Sequence, residues 1–416
     1  MLLGKRFIAC LMLVLSFPAC FCQQKESKDS VLIEKFYAIS HQKPYWFDKN
    51  EMKANGWLAM IESSENLGIT PDKVLIDELR AVLKDKSEIS NAVKEKTDQQ
   101  ITLLVLNFIK TLQQGNINFA YDEISNPNDS VSAILLLNST QKSIAKVVSQ
   151  LDCKDTEYLI LEQFLHDSIA KLSSEKLKYI ALAMNYRRFI AATKTSEYIL
   201  VNIPEAEARY YRADKLQLKM RTVVGKKSKP TPMIASYITS IVTFPYWNVP
   251  YLIGVKEILP KVQKDDNYLE QNNFEVVDAK GNVIDDSDLN WGKYDEKSFP
   301  YFFRQSTGAK NSLGVLKFNL QNPFSIFLHS TSWQGVFAKE NRFLSHGCIR
   351  LEKPFDLANA LLRGKLDVKK LKLGKENTEP KTIKLASKVP VYIIYNPVAV
   401  VGRKVTFLPD VYELIK

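Results

Sequence analysis

The sequence predicts an α+β protein: an N-terminal all-α domain followed by a mainly β domain that carries one long insertion. Two changes of pattern decide this. Between Val31 and Arg188, apolar residues recur at three- and four-residue spacings, as in Leu75-Ile76-Leu79-Val82-Leu83 and Ile101-Leu104-Val105-Phe108-Leu112, while glycine and proline are scarce. That spacing lays one stripe along a helix. After Thr195 the runs become β-branched, aromatic and partly alternating, and Gly, Pro and Asn turns separate them. The 416 residues, 45% hydrophobic and 25% charged, are enough for two domains with sizeable cores and exclude collagen, coiled coil and wholesale disorder.

Taken in order, residues 1–22 read as a secretory signal peptide. Lys5 and Arg6 precede an apolar run from Phe7 to Phe17, followed by Pro18, Ala19, Cys20, Phe21 and Cys22. The run falls short of the roughly 20 apolar residues of a membrane span, and no later stretch approaches them. The mature chain is expected to be exported, either free or membrane-anchored through a lipidated Cys20. Residues 30–190 form the helical domain. In Leu67-Gly68-Ile69-Thr70-Pro71-Asp72 the glycine suits a helix end, and Thr70 is read as capping the next helix with Pro71 at its first position. Asn126 to Asp129 is a loop, and Tyr158 to Arg188 holds two further helical patterns.

Residues 195–416 form the β domain, with strands expected at Tyr198 to Ile203, Lys215 to Val224, Val315 to Asn319, Ser325 to His329 and Val389 to Tyr395. The segment 251–308 is too long and polar for an ordinary connection, and it carries the acidic run Asp285-Asp286-Ser287-Asp288. It reads as an inserted lid.

The chain has 57 Lys+Arg against 46 Asp+Glu, a net charge of +11. The basic residues are spread along it and form no arm or motif that would bind nucleic acid, so the charge implies solubility and a weak pull toward anionic polymers. No cofactor is expected, and protein partners are not readable from the residues.

The chemistry concentrates in the β half. Two of the four histidines, His329 and His346, lie near Cys348 in Ser345-His346-Gly347-Cys348-Ile349-Arg350. A thiol is mostly protonated near neutral pH, so a nucleophilic cysteine needs a base or a positive neighbour. His329 ends an apolar strand 19 positions earlier and is preferred as that base over His346, which is too near in the chain to align with the thiol. Gly347 permits a turn that residues with Cβ resist, and the amides of Gly347 and Cys348 are candidates for an oxyanion hole. Against this stands the reading of Cys348 as a small buried hydrophobe. Zinc is disfavoured because the paired spacings of a zinc site are missing. Cys153 is read as a half-buried free thiol rather than a partner of Cys348 in a disulfide.

His329 followed by Ser345-His346-Gly347-Cys348-Ile349-Arg350 resembles the signature of the L,D-transpeptidases with a YkuD-type catalytic domain. The likeness continues through Val223-Val224-Gly225-Lys226 with Thr231-Pro232, Pro245-Tyr246-Trp247-Asn248-Val249-Pro250, Lys256-Glu257-Ile258-Leu259-Pro260, Asn311-Ser312-Leu313-Gly314 and Asp410-Val411-Tyr412. Pro44-Tyr45-Trp46 and the turn at Gly68 extend it into the helical half, as in the large branch with a scaffold domain and a capping lid. The resemblance implies that Cys348 attacks the third residue of a peptidoglycan tetrapeptide stem, releases D-alanine and passes the acyl group to a neighbouring stem, giving a 3→3 cross-link. It implies His329 as the base, the amides of His346, Gly347 and Cys348 as the oxyanion site, and Arg350, Trp247, Tyr246 and Ser345 at the substrate. It further implies acylation by carbapenems and a place in the periplasm or cell envelope of a Gram-negative bacterium. Phe327 and Ser330 depart from residues common in that branch. An L,D-carboxypeptidase with the same acyl-enzyme, or a non-catalytic wall-binding scaffold protein, are the alternatives.

Overall fold

The computed structural model describes residues 28–85, 89–124, 143–373 and 378–415. The leader segment, with Cys10, Cys20 and Cys22, and the loop Asn126 to Asp129 lie outside the described residues.

Among the described residues, seven α-helices carry the N-terminal half: α1 (Lys28–Ser40), α2 (Glu51–Glu62), α3 (Lys73–Lys84), α4 (Asn91–Gln114), α5 (Ile144–Leu151), α6 (Thr156–Ser168) and α7 (Ser174–Thr193). The apolar stripes read from the sequence are their buried faces: Ile76, Leu79 and Leu83 of α3 meet Ile101, Val105, Phe108 and Leu112 of α4 in one core with Trp46 and Trp57. The turn into α3 differs from the expectation. Gly68 does take the left-handed conformation, with φ 64°, but the cap is Asp72, whose carboxylate accepts from the Leu75 amide at 3.0 Å, so the helix starts two residues after Pro71. An aspartate within reach of the first free amides caps better than a threonine that lies before a proline turn.

Eight of the described strands form the closed path of the main sheet in the second half: β1 (Glu197–Asn202), β2 (Glu207–Arg212), β3 (Lys215–Gly225), β4 (Ile234–Thr243), β5 (Leu316–Leu320), β6 (Leu328–His329), β7 (Ile349–Leu351) and β8 (Lys381–Ile394). They neighbour one another in the order β4-β5-β6-β7-β3-β2-β1-β8, and β8 pairs back onto β4, so the sheet closes on itself. Closure removes the free edges that a sheet would otherwise expose. Ile199, Val201, Tyr210, Ile238, Leu316, Phe318, Leu328, Ile349, Val391 and Ile393 fill the interior, with Leu357, Ala358 and Leu361 from α8 (Pro354–Leu361).

The halves are joined by shared core rather than by a bare linker. All six residues of β1 are buried, because Ile199 and Val201 face the barrel interior while Tyr198 and Leu200 pack on Tyr186, Phe189 and Ile190 of α7. That double burial explains why the middle of this strand, Tyr198 to Val201, is continuously apolar in sequence. Tyr121–Asp122, from the helical half, adds a short parallel strand beside β4. The C-terminal hairpin of Val398–Val401 and Lys404–Phe407 returns to pack on Tyr158, Leu161 and Tyr179. Cys153 is a buried free thiol in that same core, raised in pKa by burial.

The insertion is a small unit with its own core. Trp247–Asn248, Phe302–Gln305, Phe274–Val277 and Val283–Ile284 form a four-stranded sheet, over which Val255, Ile258, Leu259 and Val262 pack with Phe299 and Phe303. Its first strand precedes residue 251, where the composition shift places the start, because Trp247 is paired to Gln305. Pro260 cannot donate to the carbonyl four residues back, and the helix leading to it opens into a π turn at Gly254–Ile258.

Candidate active site

The site lies on the outer face of the barrel where β5, β6 and β7 run side by side. Leu328 and Ile349 are paired and point inward; His329 and Arg350 are paired and therefore share the opposite face. By the same alternation Phe327 and Cys348 fall beside them, and the Ile349 amide donates to the Phe327 carbonyl at 3.1 Å. The strand register thus brings His329 and Cys348, 19 residues apart in the chain, to one face of adjacent strands.

His329 is 4% exposed, and its Nδ1 lies 2.5 Å from the Ser330 carbonyl oxygen. A carbonyl can only accept, so Nδ1 carries the proton and Nε2 is the free lone pair. Burial, followed by the positive charges of Arg350 and Lys317, pushes the imidazole pKa down to about 3, although the carbonyls of Ser330 and Leu313 pull the other way. The ring is neutral at any working pH. Burial raises the Cys348 thiol, while the Phe327 amide and the charges of Lys317 and Arg350 oppose that rise. The pair is therefore a neutral thiol beside a neutral imidazole, not a preformed thiolate and imidazolium.

The turn before Cys348 is fixed from several sides. Ser345 Oγ donates to the Cys348 carbonyl at 2.6 Å and accepts the Gly347 amide at 3.1 Å. Thr231 Oγ1 donates to the Gly347 carbonyl at 2.8 Å and accepts the Gly225 amide at 2.8 Å. Gly347 has φ 116°, and at Gly225 a Cβ would sit 2.3 Å from the Lys229 carbonyl oxygen, so both turns require glycine. Tyr412 closes the same knot by donating to the Gly225 carbonyl at 2.5 Å.

Residues 196–393 match the family model of the L,D-transpeptidase catalytic domain, YkuD, and residues 31–165 match that of its scaffold domain. Residues 196–393 thus carry a YkuD-type L,D-transpeptidase catalytic domain. A Haemophilus influenzae protein named "Putative L,D-transpeptidase" is 36% identical over 234 residues, which are 56% of this chain and 47% of that protein. The chain thus spans about half the length of the curated relative it matches. Among solved structures, the catalytic domain of an Enterococcus faecium L,D-transpeptidase acylated by ertapenem is 14% identical, with a TM-score of 0.24 over 48% of this chain and 97% of that one. Mycobacterium tuberculosis L,D-transpeptidase 1 is 13% identical, with a TM-score of 0.20 over 48% and 61%.

Within the YkuD domain the expected residues fall into two groups. Cys348, His329, Arg350, Ser345 and Gly347 converge on the β6 and β7 ends. The Gly347 amide, however, is already given to Ser345 Oγ, which removes it from the expected oxyanion site. The amides of His346 and Cys348 have no acceptor among the described residues. Trp247 and Tyr246 belong to the inserted unit: Trp247 packs 6.2 Å from Phe274, and the Arg304 guanidinium stacks 4.8 Å over Tyr246. His346 reaches outward, its Nε2 2.6 Å from Glu257 Oε1 in the π turn, and so ties the catalytic turn to the lid.

Three contributors escape sequence reasoning. Cys348 Sγ donates to the Ser325 carbonyl at 3.6 Å rather than to His329, and Ser325 holds φ 56° because Asn322 Oδ1 accepts the Phe324 and Ile326 amides, each at 3.0 Å. Backbone strain beside a reactive group is a common mark of a functional turn. Glu257 sits 91 positions before Cys348, and only the lid's fold brings it near. Lys317 had a readable signal: a lysine between inward-facing Leu316 and Phe318 must point outward on the strand that pairs with His329.

Proposed function

We propose that the protein is an exported cysteine L,D-transpeptidase that forms 3→3 peptidoglycan cross-links in the periplasm or cell envelope. The observation that carries this reading is the juxtaposition of Cys348, on a turn held by Ser345 and Thr231, with a buried neutral His329 on the paired strand. Cys348 Sγ attacks the carbonyl of the third residue of a tetrapeptide stem as its proton passes to His329 Nε2. Two neutral partners suit this concerted transfer, because no ion pair has to be built in a buried site beforehand. The amides of His346 and Cys348 receive the developing oxyanion. The C–N bond then breaks, and the imidazolium returns the proton to the departing D-alanine nitrogen. The amine of a second stem attacks the thioester as His329 removes its proton, the C–S bond breaks, and the imidazolium returns that proton to Sγ, which restores the thiol.

The lid favours the amine over water as acceptor. Its aromatic core and the His346–Glu257 contact place a rigid unit against the catalytic turn, which would limit access of bulk water to the thioester. We propose further that residues 1–22 direct export, leaving the mature protein free or tethered at Cys20.

Liquid chromatography with mass spectrometry, after incubation with disaccharide tetrapeptide, tests the reading. The expected product is a 3→3 dimer that vanishes in Cys348→Ala. Tripeptide alone, also lost in the variant, would replace it with the L,D-carboxypeptidase reading; no conversion by the wild type would favour a wall-binding scaffold.

A further inference from the structure

The barrel register gathers three basic side chains in one row beside the thiol. Lys317 pairs with His329 across β5 and β6, and His329 pairs with Arg350 across β6 and β7. Directly paired residues project to the same face of a sheet, so Lys317 and Arg350 flank the imidazole. Lys317 is half-buried, with Nζ 4.3 Å from the centroid of the Phe327 ring, and that ring lies 5.6 Å from His329. A cation over an aromatic face is attracted to the ring and restricted in where it can swing.

What is missing from the row is an anion. No carboxylate among the described residues pairs with Lys317 or Arg350; the titratable group that acts on both is the Cys348 thiol, which carries a charge only once it is deprotonated. The Nε of Arg350 is buried and has no hydrogen-bond partner among the described residues. Elsewhere the protein pairs its buried guanidinium groups, as Arg187 with Asp155 and Arg209 with Glu205. Two partly desolvated cations that flank the imidazole with no anion between them leave donors unsatisfied. Such a pair is poised for an incoming carboxylate, which Arg binds through a fork and Lys as a point charge.

We propose that Lys317 and Arg350 form the subsite for the terminal carboxylate of the donor stem, and that Lys317 selects donors that end in a free carboxylate. The inference rests on the reading of Cys348 as the acyl-transfer nucleophile. In the donor, the carbonyl under attack is joined through one nitrogen and one Cα to the carboxylate of the departing residue, a separation of under about 4 Å from bond lengths alone. A subsite for that group has to lie immediately beside the sulfur, as these two side chains do. The same contact orients the scissile amide, and it is released with the departing amino acid once the C–N bond is broken.

The test compares disaccharide tetrapeptide with its C-terminal carboxamide as donors for the wild type, Lys317→Met and Lys317→Arg. Alkylation of Cys348 by iodoacetamide is followed across pH in parallel. The wild type should prefer the acid by about ten- to a hundred-fold in kcat/KM, the scale of one charge-assisted contact. In Lys317→Met that preference should fall toward one, chiefly through KM for the acid, and Lys317→Arg should restore most of it. A Met variant that keeps the preference overturns the proposal. Equal losses on both donors, with the alkylation midpoint moved up in pH, also overturn it and assign Lys317 to thiolate stabilisation instead. Failure of the wild type to convert either donor while Cys348 still alkylates removes the acyl-transfer reading itself, and the carboxylate subsite with it.

Discussion

Holding His329 neutral makes the folded protein sensitive to acid in a calculable way. Its pKa is about 3 in the fold against 6.5 for the model imidazole. Because the folded value is the lower one, the unfolded chain takes up the proton first, and stability is lost as pH falls through 6.5 toward 3. Between pH 7 and pH 5 the linkage integral amounts to about 2 kcal/mol, nearly all of it below pH 6.5. Urea denaturation of the wild type and His329→Gln at both pH values measures it. Glutamine cannot titrate, so the variant, whatever its stability at pH 7, should lose about 2 kcal/mol less over the same interval. Other titrating groups, such as Asp98, whose pKa burial raises, and Asp155, act equally in both proteins and cancel. Equal losses in the two proteins would refute the claim that His329 is buried in neutral form, and with it the neutral-pair mechanism.

The remaining predictions concern the thiol, the lid and the scaffold. Intact-mass spectrometry should show a carbapenem adduct on the wild type and none on Cys348→Ala, because a β-lactam carbonyl presents the same electrophile as the donor amide. Glu257→Ala removes the 2.6 Å contact between the lid and His346, and should raise the ratio of tripeptide to cross-linked dimer several-fold in the product analysis; an unchanged ratio would mean that the contact has no part in excluding water. Asp155→Ala strips the two-point partner from Arg187, at 2.7 and 2.5 Å, and the cap from α6. Thermal or urea melts should show a loss of about 3–5 kcal/mol, with a smaller loss in Asp155→Asn, which keeps the cap.

Much of the architecture was legible because it depends on periodicity. Helical spacing in 30–190 and strand alternation after 195 each follow from burying one face, and a chain that obeys one period cannot satisfy the other. The candidate nucleophile was legible for a different reason: a cysteine between a glycine and a branched residue, with two of four histidines close by, is a local cluster that packing alone does not require. Signals of a single residue were weaker. Thr70 reads as the cap in sequence, and the path of the chain makes it Asp72 instead.

Tertiary structure decided whatever depends on strand pairing and on which hydrogen bonds are already taken. The Gly347 amide is in the right segment for an oxyanion site, yet Ser345 Oγ occupies it, a competition that no motif displays. Trp247, which the resemblance puts at the substrate together with Tyr246, is paired into the lid sheet, and Tyr246 lies under the Arg304 guanidinium, a placement that the motif does not display. Lys317 and Glu257 come to the site through the register of β5 on β6 and the π turn of the lid. The sequence by itself determined the two halves, most of the strands and the candidate cysteine, because local period and composition act within a few residues. The strand ends differ: β6 is only Leu328–His329 where Ser325 to His329 is expected, and β8 starts at Lys381 rather than Val389. Which base, which cations and which amides surround that cysteine was decided only when the barrel closed, since those groups are separated by tens of residues and their protonation is set by a burial that exists only in the folded chain.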